Sequence, residues 1–398
     1  MNMQQIKRRK VFYIPGFDPF PARRYRELYR QNSQEQATIS GYTISQSALH
    51  LKDRFGWQVN ASFGDQDCEA EIEVLVWSDL VKDSMRAGIL ATYLQLLRTA
   101  WIYLSTGALA DVIKVRKGPV IAALYPVGFL LGQLIIALAI GFISGTILAS
   151  IHLYLFWPGM ILTWPVLEVF RRLDGRIFAY YLMQDYAFTA QFGGAYPPEL
   201  SQRLKQFGQK VTQAMAEDWD EVLVVGHSSG AHLAVSVLAE LGRRNQIKCA
   251  PMPIGLLSLG HVMPMVTFLP KAAALRRDLH DLSQMGEVSW VDVSAPGDGC
   301  SFALCDPVAV SGVASIGKTG PLVISAAFTQ SLSPERWKSL RWRFFRLHFQ
   351  YLCAFDRPRD YDYFQITAGP ISLGQRFQDR KASKSRIETA FARHRDMA

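Results

Sequence analysis

Ser228 stands in the run Val224-Val225-Gly226-His227-Ser228-Ser229-Gly230-Ala231-His232-Leu233-Ala234, with a glycine two residues to either side. A serine hydroxyl attacks a carbonyl only when a base takes its proton and donors stabilise the oxyanion that forms. A β-favouring run precedes this serine and a helical pattern follows it. In such a strained strand-to-helix turn flanking side chains would clash, so Gly226 and Gly230 leave room, and the Ser228 Oγ projects at the positive end of the following helix. The bland alternative is a plain Gly-Ser turn. His227 fills the variable position of the turn, and His232 packs or faces solvent; neither needs a catalytic role.

On these residues the sequence resembles the α/β-hydrolase family, and more loosely its lipase and esterase members. The resemblance implies a triad in chain order Ser, Asp or Glu, His, and an oxyanion hole built from the residue after the nucleophile and from an earlier strand-end loop. Tyr13-Ile14-Pro15-Gly16-Phe17-Asp18-Pro19 is similar to the lipase oxyanion loop, with Pro15 where a histidine is usual, so the backbone N–H groups of Phe17 and Ser229 are the expected donors. Asp298, in the loop after Val288–Val293, is the preferred acid over Asp292 within that strand and Asp306 beyond it; any of the three could instead cap a turn. His348 is the expected base. His394 lies in a basic tail, while His261 and His280 precede Asp298 and would break the order. His348 would deprotonate Ser228, Asp298 would orient the imidazole, and water would cleave the acyl-enzyme, with no metal or organic cofactor required.

These groups need a sheet to hold them. Lys10–Ile14, Trp57–Phe63, Glu71–Trp77, Glu221–Val225, Ile254–Leu259, Val288–Val293 and Leu322–Phe328 read as strands. Helices are expected over Ala22–Gln31, over Pro198–Ala216, and from the Ser228 turn to about Leu241, with Gly242 as the stop. Their alternation predicts an α/β fold, a mostly parallel sheet with helices on both faces.

One segment does not belong to such a sheet. Gly118 to Leu167 holds fifty residues without Asp, Glu, Lys or Arg, against about twenty needed to cross a bilayer. It divides into spans over roughly 120–143 and 147–167; one long span or a buried hairpin are the alternatives. Lys114, Arg116 and Lys117 precede it and Arg171, Arg172 and Arg176 follow it, a positive-inside pattern for an even number of crossings. An even number also keeps the two soluble halves on one side. Ala87–Val112, with Leu90, Leu94, Leu97, Trp101 and Leu104 at helical spacing, would lie in the membrane interface or cover the soluble domain. The expected organisation is thus 1–86 and 168–375 as two parts of one catalytic domain, 87–117 interfacial, 118–167 a transmembrane hairpin, and 376–398 a basic tail forming a surface helix.

The totals agree with an integral membrane protein. The 398 residues are 49% hydrophobic and 19% charged, with a formal charge of +9. Because the basic residues gather beside the apolar stretch and no nucleic-acid motif is present, the partner they imply is an anionic membrane surface. The five scattered cysteines form no CxxC pair and read as reduced. Lys7-Arg8-Arg9-Lys10 precedes too few apolar residues for a signal-peptide core, so the N-terminus is expected to stay cytoplasmic, with the soluble domain, at a membrane of bacterial type. The substrate expected is a lipid-like carboxylic ester. Acyl transfer by the same triad, or an inactive membrane-binding module, are the alternatives.

Overall fold

A computed structural model describes residues 5–49 and 54–398. Its eight strands, β1 (Arg8–Ile14), β2 (Thr43–Leu49), β3 (Phe55–Phe63), β4 (Gln66–Val74), β5 (Glu221–His227), β6 (Ile254–Leu259), β7 (Val288–Ser294) and β8 (Leu322–Ser325), form one sheet in the order β2-β3-β4-β1-β5-β6-β7-β8. The pairs from β4 through β8 are parallel, and β2-β3-β4 is antiparallel. The chain is therefore α/β, with a mixed, mostly parallel sheet.

β5 shows why an unbroken apolar run becomes a central strand. All seven of its residues are buried. Strand side chains alternate between faces, so Val222 and Val224 enter one core with Phe12 and Ile14 of β1, while Leu223 and Val225 enter the other with Val11 and Tyr13. Helices cover both faces, as parallel sheets require.

Several boundaries differ from the sequence reading. The first helix runs on to Ser40 and ends at Gly41, whose φ of 74° favours glycine. The helix after Ser228 passes through Gly242 and ends at Arg243. Gly242 is small for a packing reason: a Cβ there would collide with the Met285 thioether. β4 stops at Val74 and β8 at Ser325, where Ala327 turns the chain at φ 47°. β2 had not been expected.

The tail is not a surface helix. Ile387 N–H donates to the Leu304 carbonyl and Asp306 N–H to the Ile387 carbonyl, Ala392 is buried, and Arg393 and Asp396 pair with Asp111 and Arg276. The extended strap thus closes over residues 300–312, with specific anchors in place of a solvated amphipathic face.

Two helices, Lys117–Ala149 and Leu153–Arg172, are long and apolar enough to cross a membrane. The first continues six residues past its expected end, because Gly145 does not break it. Gly145 instead lies against Phe156, and Gly159 against Gly145, so that small residues let the two backbones approach. The second is interrupted at Ile161-Leu162. Ile121, Ile135, Ile147 and Trp157 stand outward and exposed. Helix Ile89–Ser105 buries Leu96 against Ala179 and Met183 and leaves Leu90, Leu94, Leu97, Trp101 and Leu104 exposed on its far side.

Candidate active site

Ser228 occupies φ 56°, ψ −122° at the junction of β5 and helix Ser229–Arg243. A non-glycine residue held there costs on the order of 1–3 kcal/mol, so the surroundings must over-determine it. The Ser228 N–H donates to the Leu259 carbonyl (2.9 Å) and its carbonyl accepts from the Ala231 N–H (3.1 Å). A Cβ on Gly226 would lie 2.6 Å from the Ala231 Cα, and one on Gly230 would strike the carbonyls of Ile14 and Pro15. Both glycines are therefore demanded by backbone crossing backbone.

The same close approach brings the loop after β1 to the serine. A Cβ on Gly16 would stand 2.9 Å from that of Ser228. The loop is pinned by the Trp77 indole donating to the Pro15 carbonyl (2.9 Å) and by the Tyr181 hydroxyl donating to that of Phe17. Among the described residues, neither the Phe17 nor the Ser229 N–H is spent on another acceptor.

Asp298 follows β7 in a turn closed by its own N–H on the Ala295 carbonyl (2.9 Å). One carboxylate oxygen accepts from the Cys300 N–H (3.0 Å); the other lies 2.7 Å from His348 Nδ1 and accepts from the Tyr351 hydroxyl (3.0 Å). Burial alone would raise this carboxyl, but His348 and these hydrogen bonds outweigh it and hold Asp298 below the usual range. His348 Nε2 is buried and has no partner among the described residues. With its Nδ1 turned to the carboxylate, that nitrogen is left to take a proton.

The alternatives sit elsewhere. Asp292 accepts from the Ser258 hydroxyl (2.6 Å) and is pushed up by burial, while nearby His261 is tied to the Cys305 carbonyl (2.9 Å). Asp306 caps a short helix through the N–H groups of Val308 and Ala309, the turn-capping role open to it, and His280 bonds the Val313 carbonyl. His227 Nε2 lies 3.0 Å from the His348 carbonyl, and burial, helped by His348, pushes its pKa down to about 3, so it supports that segment as a neutral ring. His232, likewise lowered by burial to about 3, bonds Tyr196.

Ser228 and His348 open on a cavity of about 800 Å³, lined largely by apolar side chains, among them Ile121 of the first apolar helix and Phe345. Tyr181 and Asp185 of helix Ala179–Ala190, which no sequence motif marks, lie one turn apart and both at the cavity wall. Tyr351, which supports Asp298, lies one turn after His348 and was readable from that spacing. Asp298, Cys300 and His348 also bring one possible metal-ligating atom each within 4.8 Å. However, burial and then Asp298 push the Cys300 thiol well above its ordinary value, away from the thiolate that a metal binds.

Burial raises the Asp185 carboxyl to about 7, with the His348 ring pulling the other way. The folded chain therefore keeps a proton that the unfolded chain releases near pH 4, and stability falls as pH rises from there through 7. Asp185→Asn should melt above wild type at pH 8, with the gap closing by pH 5, as measured by thermal unfolding in detergent.

Comparison of the chain with protein-family models, with curated proteins and with solved structures finds no match.

Proposed function

We propose that the chain is a membrane-anchored serine hydrolase of α/β-hydrolase type that cleaves carboxylic esters of a lipid-like substrate. The observation that carries this reading is the 2.7 Å contact of Asp298 with His348, which lines the same largely apolar cavity as a serine held in a strained turn. His348 Nε2 takes the Ser228 proton as Oγ bonds to the ester carbon. The carbonyl oxygen becomes an oxyanion, met by the Phe17 and Ser229 N–H groups. Collapse expels the alkoxide, which receives the proton from His348. Water, deprotonated by the same nitrogen, then attacks the acyl-enzyme, and collapse releases the acid as His348 returns that proton to Ser228 Oγ. Asp298 stays ionised and steadies the imidazolium.

The two apolar helices support the choice of a lipid. In this reading they form a two-pass hairpin, with the soluble domain on the positively flanked, cytoplasmic side. Ile121 of the first apolar helix lines the cavity, which supports a reaction beside the bilayer.

The test is fluorophosphonate labelling of detergent-solubilised protein. Wild type should be labelled and Ser228→Ala, folded to the same melting temperature, should not. Absence of label on both would remove the nucleophile and with it the hydrolase reading.

A further inference from the structure

The mouth of the cavity is not apolar. Arg176, Arg343 and Arg346 line it, and among the described residues none of the three makes a salt bridge or a side-chain hydrogen bond. Some arginines elsewhere pair, as Arg203 does with Asp79, Arg243 with three carboxylates and Arg336 with two. Arg23, Arg26, Arg277 and Arg341 are unpaired among the described residues as well, and what distinguishes the three is that they line one cavity together. The acids lining the same cavity do not supply the missing partners. Asp18 is taken by Tyr25 and the Phe20 N–H, with Arg24 beside it, while Asp185, its carboxyl raised by burial to about 7, makes no salt bridge among the described residues.

The bilayer surface should pass through the same place. Helix Lys117–Ala149 begins beside the catalytic loop, where a Cβ on Gly118 would lie 3.3 Å from Gly299. At 1.5 Å per residue its 33 residues reach about 50 Å, beyond the roughly 30 Å hydrocarbon thickness, so its first turns can stand in the headgroup layer. Trp342, 73% exposed, and Phe344, 46% exposed, alternate with the arginines, as aromatic anchors do at that depth.

We infer that Arg176, Arg343 and Arg346 form a phosphate subsite that holds the headgroup of a glycerophospholipid or lysophospholipid while its ester carbonyl reaches Ser228. The assignment of that carbonyl rests on the hydrolase reading, and the subsite refines its substrate class. A guanidinium matches phosphate oxygens two at a time, whereas an acylglycerol would leave all three arginines idle.

The test uses full-length protein in zwitterionic nanodiscs and two non-hydrolysable ether lipids of one chain length, an alkyl lysophosphatidate and the corresponding alkylglycerol. Wild type should bind the phosphate lipid at least tenfold more tightly. Combined Arg176→Gln, Arg343→Gln and Arg346→Gln should abolish that preference, and the three Lys substitutions should retain part of it. Equal affinity of wild type for the two lipids, or a preference that survives in the folded Gln variant, would overturn the subsite. Inorganic phosphate displacing the lipid at equal affinity would assign the arginines to a soluble phosphate and overturn the lipid ligand. Should the Gln variant not fold, the wild-type preference and its retention with lysine decide. Because binding needs no turnover, a failed fluorophosphonate reaction with the lipid preference intact would sink the hydrolase reading alone.

Discussion

Asp298→Asn should lower kcat for ester hydrolysis about 10⁴-fold while leaving KM within a few fold, the loss expected when the orienting carboxylate of such a triad becomes an amide. Its side chain accepts at one oxygen from both His348 and Tyr351. An asparagine there either presents its carbonyl to those donors or turns its NH₂ toward them. With the Cys300 N–H on the other side requiring the acceptor, the amide nitrogen falls beside Nδ1. The imidazole then carries its proton on Nε2, where it cannot accept one from Ser228. The isosteric change preserves packing, so steady-state kinetics against a short-chain ester, with melting as the control for folding, isolates the electrostatic role. A fall of less than tenfold would remove Asp298 from the mechanism.

Glu221→Ala should cost about 3–5 kcal/mol of stability, because it strands a charge that the fold has sealed from water. Arg9 and Glu221 are 0% and 1% exposed and 2.6 Å apart. The guanidinium also donates to the carbonyls of Gly369 and Ile371, and the carboxylate accepts from the Leu373 N–H (2.7 Å). The pair joins β1, β5 and the segment after residue 368, so losing one partner loosens all three. Asp218→Ala, which removes the exposed partner of Arg8, should change stability by less than about 1 kcal/mol. Chemical unfolding followed by tryptophan fluorescence separates the two; equal losses would show that burial does not govern the effect.

How far the sequence foretells this architecture depends on where each signal is encoded. β5 is legible because a strand buried on both faces must be apolar at every position. β2, Thr-Ile-Ser-Gln-Ser-Ala-Leu, is half exposed at the sheet edge and has nothing to distinguish it from a polar loop. Gly242 reads as a helix stop because a stop and a close contact require the same residue, and only Met285, distant in sequence, decides between them. The tail is misread for a related reason: its Arg393 pairs with Asp111 and its Asp396 with Arg276, partners far away in sequence. Ser228 stands out in the sequence by motif, whereas chain order admits Asp292, Asp298 and Asp306 as the acid and His348 or His394 as the base, and only the loop position favours Asp298. Asp185 does not stand out, since its raised carboxyl arises from burial that no local pattern records.

The place of β1 in the sheet also governs how the chain must be made. β4 can cover one edge of β1 early in synthesis, but the partner for its other edge, β5, lies about two hundred residues further on. At the usual 5–20 residues per second the open edge persists for roughly 10–40 s. Val11-Phe12-Tyr13-Ile14 with one free edge is the kind of segment that templates aggregation, and flanking charge is the usual protection. Lys7, Arg8, Arg9 and Lys10 provide it. Lys10 is taken up by Glu71 and Glu73 of β4, whereas Arg9 is neutralised by Glu221, a residue of the very strand that closes the edge, so that the Arg9 charge is withdrawn from solvent only when that partner arrives.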